Sequence, residues 1–133
     1  MPETMRGTAS SRQKLRFVLH KHWATHLHWD FRLEKDGVLK SWAVPKGLPN
    51  KPGIRRLAIQ VEDHELEYIN FHGVIPDGYG AGKVAIDDKG TYDWLEFKQN
   101  RIKLVLKGKK IRGGFVMYRI KDKQWLISRV PEN

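Results

Sequence analysis

From His22 to Glu34 the chain reads His-Trp-Ala-Thr-His-Leu-His-Trp-Asp-Phe-Arg-Leu-Glu. From Leu27 on it alternates. Leu27, Trp29, Phe31 and Leu33 share one parity, and His26, His28, Asp30, Arg32 and Glu34 share the other. On a β-strand parity means face, so one side is a bulky apolar wall and the other carries imidazole, carboxylate and guanidinium in a row. His28 and Asp30 are about 6.5 Å apart on such a strand, close enough to converge on one ion. Arg32, one step further, is an anion clamp. Adding His22 gives two imidazoles and a carboxylate, a set that suits Mn²⁺, Zn²⁺ or Fe²⁺ and leaves positions open for water or substrate. A metal beside a fixed cation suits phosphate chemistry. A lone histidine is more often a satisfied structural residue than a ligand. Here His20, His22, His26, His28 and His64 lie near Asp30 or in the Glu62-Asp63-His64 turn, and only His72 stands apart.

Strands must position these groups. Asp36-Gly37 is a two-residue hairpin signal between Leu27–Glu34 and Val38–Pro45. That turn predicts the register: Glu34 faces Leu39, Arg32 faces Ser41, Asp30 faces Ala43, and His28 faces Pro45. On the other face Phe31 meets Trp42 and Trp29 meets Val44. Small residues opposite Asp30 and Arg32 leave room for a ligand, and large ones behind them make a core. Further strands are expected at Leu15–His22, Arg56–Glu62 (with Leu57, Ile59 and Val61 on the apolar parity), Val74–Ile75, Lys83–Asp87, Thr91–Phe97, Arg101–Lys107, Gly114–Ile120 and Gln124–Arg129. Asn70-Phe71 and Trp94 read as turn and core. No segment keeps a helical period over any length. The expected fold is mainly β, a compact antiparallel β-barrel with one or two short helices. Residues 1–14 read as a flexible arm and 15–133 as a single domain. The loop Pro76–Gly82 is glycine-rich but lacks the order of a phosphate-binding P-loop.

Composition narrows the class. The 133 residues include five Trp, five Phe and four Tyr, enough to build a core, and no cysteine, which excludes disulfides and thiolate chemistry. No apolar run approaches a membrane span, and Met1–Arg6 lacks the apolar centre of a signal peptide, so a cytoplasmic location and no membrane partner are expected. The net charge is +10. From Lys98 to Lys123 ten basic residues face one acid, Asp122. A stripe of that density commonly meets a polyanion, and Lys103, Lys107, Lys109, Lys110 and Arg112 are its candidate nucleic-acid contacts.

Several blocks resemble a known family. Phe17-Val-Leu-His-Lys-His22, Leu27-His-Trp-Asp-Phe-Arg-Leu-Glu34 and Asp36-Gly-Val-Leu-Lys-Ser-Trp-Ala-Val-Pro-Lys-Gly47 are similar to the 3′-phosphoesterase module of bacterial DNA ligase D. So are Arg56-Leu-Ala58, Val61-Glu-Asp-His64, Tyr68, Phe71-x-Gly-Val-Ile-Pro76 and Tyr79-Gly-Ala-Gly82. The resemblance implies a small β-barrel enzyme that heals DNA or RNA 3′ ends with Mn²⁺ or another divalent ion such as Zn²⁺ or Co²⁺. Such an enzyme removes a 3′-terminal ribonucleoside, then the remaining 3′-phosphate, to leave a ligatable 3′-OH. By position, His22, His28 and Asp30 match the family's metal ligands. Arg32, Lys46, Arg56, His64 and Tyr68 match phosphate-engaging residues. Arg32, His64, Tyr68 and the supporting Glu62 form the implied catalytic set. The implied substrates are DNA or RNA 3′ ends on a primer–template duplex, with a ligase or repair polymerase supplied in trans to a monomer.

Three features depart from the family pattern: His20 stands where Gln is usual, the Pro76–Tyr79 loop is one residue shorter, and the arm before Phe17 is short, with Glu3 as its acidic remnant. Two other readings compete, a non-catalytic nucleic-acid-binding β-barrel and a two-His-one-carboxylate iron oxygenase. The carboxylate in the row His28, Asp30, Arg32 argues against the first, and the basic charge and small size against the second.

Overall fold

The structure is a computed structural model that describes residues 14–78 and 80–131. The N-terminal arm up to residue 13, and Tyr79, lie outside the described residues. The strands are β1 (Arg16–Trp23), β2 (Leu27–Lys35), β3 (Val38–Val44), β4 (Arg55–His64), β5 (Gly73–Ile75), β6 (Gly82–Lys98), β7 (Arg101–Gly108), β8 (Arg112–Lys121) and β9 (Gln124–Arg129). One 3₁₀ turn, Leu66–Asn70, is the helical element among the described residues. The sheet order is β1-β2-β3-β4-β9-β8-β7-β6, and β1 pairs with β6 to close an eight-stranded antiparallel barrel. The short β5 adds to the start of β6. Among the described residues no helix is long and apolar enough to cross a membrane.

The β2–β3 hairpin follows its turn chemistry. Asp36 (φ 55°) and Gly37 (φ 84°) both take positive φ, as the tight turn between twisted strands requires. The resulting pairs are Trp29–Val44, Asp30–Ala43, Phe31–Trp42, Arg32–Ser41 and Glu34–Leu39, as the alternation predicts. The expected partner of His28, Pro45, lies beyond the end of β3.

Two apolar clusters hold the barrel. Its interior is filled by Phe17, Leu19, Phe31, Leu33, Trp42, Tyr92, Leu104, Phe115 and Trp125, among others, all nearly inaccessible. Full burial of each such side chain contributes roughly 1.5–3 kcal/mol. The smaller cluster lies outside the wall, where Val18, Leu39 and Ile69 pack with Leu66, Tyr68 and Ile86. It fastens the 3₁₀ turn over the outer face of β1–β3.

Two strand readings need correction. Leu57, Ile59 and Val61 share a face, but it is the outer one, and Leu57 is 43% exposed. Ala58 and Gln60 face the interior, where the Gln60 carboxamide oxygen accepts from the Trp125 indole at 3.0 Å. A polar side chain with a buried partner sits inside, so apolarity alone misassigns the face. Lys83–Asp87 and Thr91–Phe97 are not separate strands but parts of the 17-residue β6. The expected strands stop on either side of Asp88-Lys89-Gly90, but here the strand exchanges neighbours without leaving the sheet. It pairs with β1 through Thr91 and with β7 from Gly90. A bulge at Asp87 turns Asp88 inward.

Candidate active site

The polar row of β2 does not face solvent. Asp30 and Arg32 are 6% and 3% exposed, covered by the 3₁₀ turn and the loop that follows it. His20 and His22 come from the same face of β1, Ser41 and Ala43 from β3, and Val61, Glu62 and His64 from β4. Their meeting point is a cavity of about 360 Å³ lined by His22, Ala24, His28, Asp30, Arg32, Ala43, Val61, Glu62, His64, Tyr68, Ile75 and Gly80.

At one end, ligand atoms of His22, His28 and Asp30 lie within 4.8 Å of one another. His22 Nδ1 is 3.2 Å from one Asp30 oxygen and His28 Nε2 is 3.2 Å from the other. The far nitrogens face backbone carbonyls: His22 Nε2 is 2.8 Å from the Gly80 oxygen, and His28 Nδ1 is 3.1 Å from the His26 oxygen. A carbonyl only accepts, so each far nitrogen donates its proton there. That turns the near nitrogen of each ring toward the carboxylate, as a lone pair when the ring is neutral and as a hydrogen-bond donor when it is protonated. The donor set fits a divalent cation, with the carbonyls fixing tautomer and ring orientation. Burial pushes the Asp30 carboxyl up, but the His28 hydrogen bond and the Arg32 charge outweigh it and hold the group below its usual range. His28 is raised, chiefly by its bond to Asp30.

Arg32 is held on every side. Its Nε donates to His20 Nδ1 at 3.1 Å, and one terminal nitrogen donates to Ser41 Oγ at 2.9 Å. The same nitrogen is 3.1 Å from His64 Nδ1, and the other is 3.4 Å from Asp30. The Tyr68 ring lies 4.9 Å from the guanidinium carbon. Tyr68 in turn stacks on Phe71 at 4.8 Å and 8°, and tilts against His64 at 4.7 Å. His64 is lowered from its usual value by burial and then by the Arg32 charge, so it is neutral near pH 7. His64 Nδ1 lies 3.1 Å from the Glu62 carbonyl oxygen as well as from Arg32, so it faces an acceptor and a donor at once. Burial raises Tyr68, which stays a neutral phenol.

Of the residues expected to act together, the cavity gathers His22, His28, Asp30, Arg32, Glu62, His64 and Tyr68. Lys46 and Arg56 lie outside its lining. They meet each other instead, with the Arg56 guanidinium bonded to the Lys46 carbonyl. The lysines of β7 lie elsewhere, on the outer wall. There Arg101 and Lys98 pair with Glu96, Lys107 with Asp93 at 2.8 Å and Lys110 with Asp87. A run that is ten to one basic in sequence is therefore interleaved in space with acids of β6.

His20, Ser41, Phe71 and the Gly80 carbonyl are the supports that residue typing does not single out as functional. His20 belongs to the shell around Arg32, with its Nε2 3.0 Å from the Phe71 carbonyl, and not to the His-His-Asp cluster. Its parity with His22 places it on the right face. The cross-strand register sets Asp30 opposite it, and the bond to Arg32 is a diagonal one that parity and register do not give.

The sequence profile of the DNA ligase D 3′-phosphoesterase domain matches residues 20–119. The chain is 48% identical over 119 residues to the multifunctional non-homologous end joining protein LigD of Mycobacterium bovis, covering 86% of this chain and 16% of that protein. It is 42% identical over 129 residues to the Mycolicibacterium smegmatis protein of that name (88% and 17%), and 43% identical over 128 residues to that of Pseudomonas aeruginosa (89% and 15%). It thus spans about a sixth of these relatives' length. Most of the barrel and the buried His-Asp-Arg row lie in the matched region, and the chain belongs to the DNA ligase D 3′-phosphoesterase family.

Proposed function

We propose that the protein is a divalent-metal-dependent 3′-phosphoesterase that heals DNA or RNA ends during end joining. It removes a 3′-terminal ribonucleoside to leave a 3′-phosphate, then removes that phosphate to leave a 3′-OH. The observation that carries this reading is the single cavity in which the His22-His28-Asp30 cluster meets Arg32, His64 and Tyr68. Mn²⁺, or Zn²⁺ or Co²⁺ in its place, is the cofactor this donor set would hold. When bound, such an ion supplies Lewis-acid charge to the phosphoryl group and lowers the pKa of coordinated water.

The chain's own residues do the rest. Arg32, buried and already fixed by His20 and Ser41, neutralises charge on non-bridging oxygens without reorganising. His64 donates a hydrogen bond to the phosphate or, in its protonated form, gives a proton to the leaving oxygen. Tyr68 donates from the same wall, and Glu62 flanks the mouth. Lys46 and Arg56 engage a more distant phosphate. Lys103, Lys107, Lys109, Lys110 and Arg112 add longer-range attraction for a primer–template duplex. The protein works as a cytoplasmic monomer, with the ligase or polymerase supplied in trans.

A labelled primer–template ending in one ribonucleotide, incubated with protein and Mn²⁺, tests the reading. The expected products are first the 3′-phosphate end and then the 3′-OH end. A primer left intact in every divalent metal defeats it.

A further inference from the structure

The strands that carry the His-His-Asp cluster present a second surface on their other face. Cross-strand pairing places Trp23 of β1 between Lys83 of β6 and Leu27 of β2. The next row is Ala85, Lys21 and Trp29. Trp23 is 38% exposed and Leu27 41%, although most other aromatic residues of the chain are buried or half-buried. Two ammonium groups lie over the indole, Lys21 at 5.0 Å and Lys83 at 5.2 Å from its ring centre, and a stacked base would move them aside toward its phosphates. Trp29, with Lys21 5.6 Å from its own ring, backs the group and packs on Gly47.

The backbone at this corner is tightly constrained. A Cβ on Gly82 would lie 2.0 Å from the Trp23 carbonyl oxygen, and Gly82 has φ 132°. Only glycine lets β6 start here, and that close approach sets Lys83 beside Trp23. A large apolar ring held half in water between two cations has the composition of a platform for an aromatic ligand that carries negative charge.

The other side of the cavity is hostile to such a ligand. An open groove there is edged by Glu62, Asp63, Glu65 and Glu67, all exposed, of which Asp63 pairs with Lys40 at 3.1 Å. A strand of phosphates leaving the cavity is repelled on that side and attracted on the Trp23 side. The two faces of β1–β2 meet at the hairpin tip, residues 24–26, and Ala24 already lines the cavity mouth.

We propose that Trp23, with Lys21 and Lys83, forms a nucleobase-stacking subsite. A strand whose 3′ phosphate lies in the cavity turns over the tip at Ala24 and lays an unpaired base on the indole, and the two lysines reach its flanking phosphates. The protein therefore favours single-stranded or frayed 3′ ends over blunt duplex. This rests on reading the cavity as the seat of a 3′-terminal phosphate.

The test is binding of a fluorescent 3′-phosphorylated 12-mer, single-stranded or in a blunt duplex, to the full chain. Trp23→Ala should weaken single-strand binding about 5- to 150-fold, the equivalent of one base–aromatic stack, and blunt-duplex binding far less. Trp23→Phe should retain most of the affinity. Lys21→Ala with Lys83→Ala should flatten the slope of log K against log salt by about 1.4 on the single strand. Unchanged single-strand affinity in Trp23→Ala, or equal losses in Trp23→Ala and Trp23→Phe, overturns the subsite. If wild-type protein neither binds nor processes 3′-phosphate ends, the proposed function fails and the subsite with it. Wild-type activity with an inert Trp23 removes the subsite alone.

Discussion

Arg32 Nε donates to His20 Nδ1 across the β1–β2 ladder, at 3.1 Å and out of contact with solvent. The bond requires His20 to keep Nδ1 bare, while its Nε2 proton goes to the Phe71 carbonyl at 3.0 Å. Burial, and then the Arg32 charge, pulls the His20 pKa down to about 4. The unfolded chain binds this proton near pH 6.5, so the contribution to stability is complete above 6.5 and is lost as pH falls toward 4. The loss approaches about 3 kcal/mol at ~1.4 kcal/mol per pH unit. A glutamine can make both bonds, with its oxygen toward Arg32 and its amide toward Phe71, and it has no proton to take up. His20→Gln should therefore leave stability near pH 7 little changed and shrink the loss between pH 6.5 and 4.5. Urea unfolding of both proteins at the two pH values measures this, and parallel losses would count against it.

Asp30 is the shared partner of His22 and His28, so its removal dismantles the cluster. Asp30→Ala and His22→Ala should abolish Mn²⁺-dependent phosphate release. Calorimetric Mn²⁺ binding should disappear with it, while far-UV circular dichroism still reports the barrel. Full activity of Asp30→Ala in limiting Mn²⁺ would exclude these ligands.

Arg32 makes its contacts as a planar fork, which a lysine cannot reproduce. Arg32→Lys and His64→Ala should each slow phosphate release by roughly 10²–10³, the usual cost of one preorganised donor. Mn²⁺ affinity should change little in His64→Ala, since that ring is not part of the cluster. A large drop in its Mn²⁺ affinity would place His64 among the ligands.

How much of this was legible in the sequence depends on the residue. The row His28, Asp30, Arg32 is legible because strict alternation specifies a face, and the Asp36-Gly37 turn then sets which residues of β3 lie opposite. Alternation does not say which face of a barrel wall is the core. On β4 that ambiguity puts Leu57 outside and Gln60 inside. The contact of His20 with Arg32 is diagonal across the β1–β2 hairpin, and that of His22 with the Gly80 carbonyl depends on loop placement. The break expected between Asp87 and Thr91 misleads for a related reason, because β6 changes partners there.

Asp88 belongs to the part that sequence hides. It is 4% exposed, and its carboxylate accepts from the backbone of Lys89 (2.9 Å), Lys109 (3.0 Å), Lys110 (3.2 Å) and Ile111 (2.8 Å), clasping the β7–β8 loop. Asp88→Ala leaves four part-buried backbone donors without this acceptor, at up to about 1 kcal/mol each. It should lower stability by roughly 3 kcal/mol, and Asp88→Asn, which keeps one oxygen, by less. Thermal unfolding decides the matter, and a midpoint within about a degree of wild type for Asp88→Ala would refute the clasp.

The β7 lysines are a weaker case for nucleic-acid contact in space than in sequence. Lys107 is already 2.8 Å from Asp93, and Lys103 lies directly opposite Glu96, which also binds Lys98 and Arg101. A phosphate must compete with those carboxylates for each ammonium, so fewer counterions are released when it binds. Two unpaired lysines would contribute about 1.8 to the slope of log K against log salt on duplex DNA. The double variant Lys103→Glu with Lys107→Glu should flatten that slope by less than about 1. It should also cost some stability, since it sets like charges opposite Glu96 and near Asp93, at about 0.2–1 kcal/mol per pair. Anisotropy titrations from low to moderate salt give the slope. A loss near 1.8 would mean that Asp93 and Glu96 release their lysines to the duplex and that this face is a principal contact. An unchanged slope and affinity would mean that it is a solvated surface, and the charge that draws in the nucleic acid lies elsewhere on the barrel.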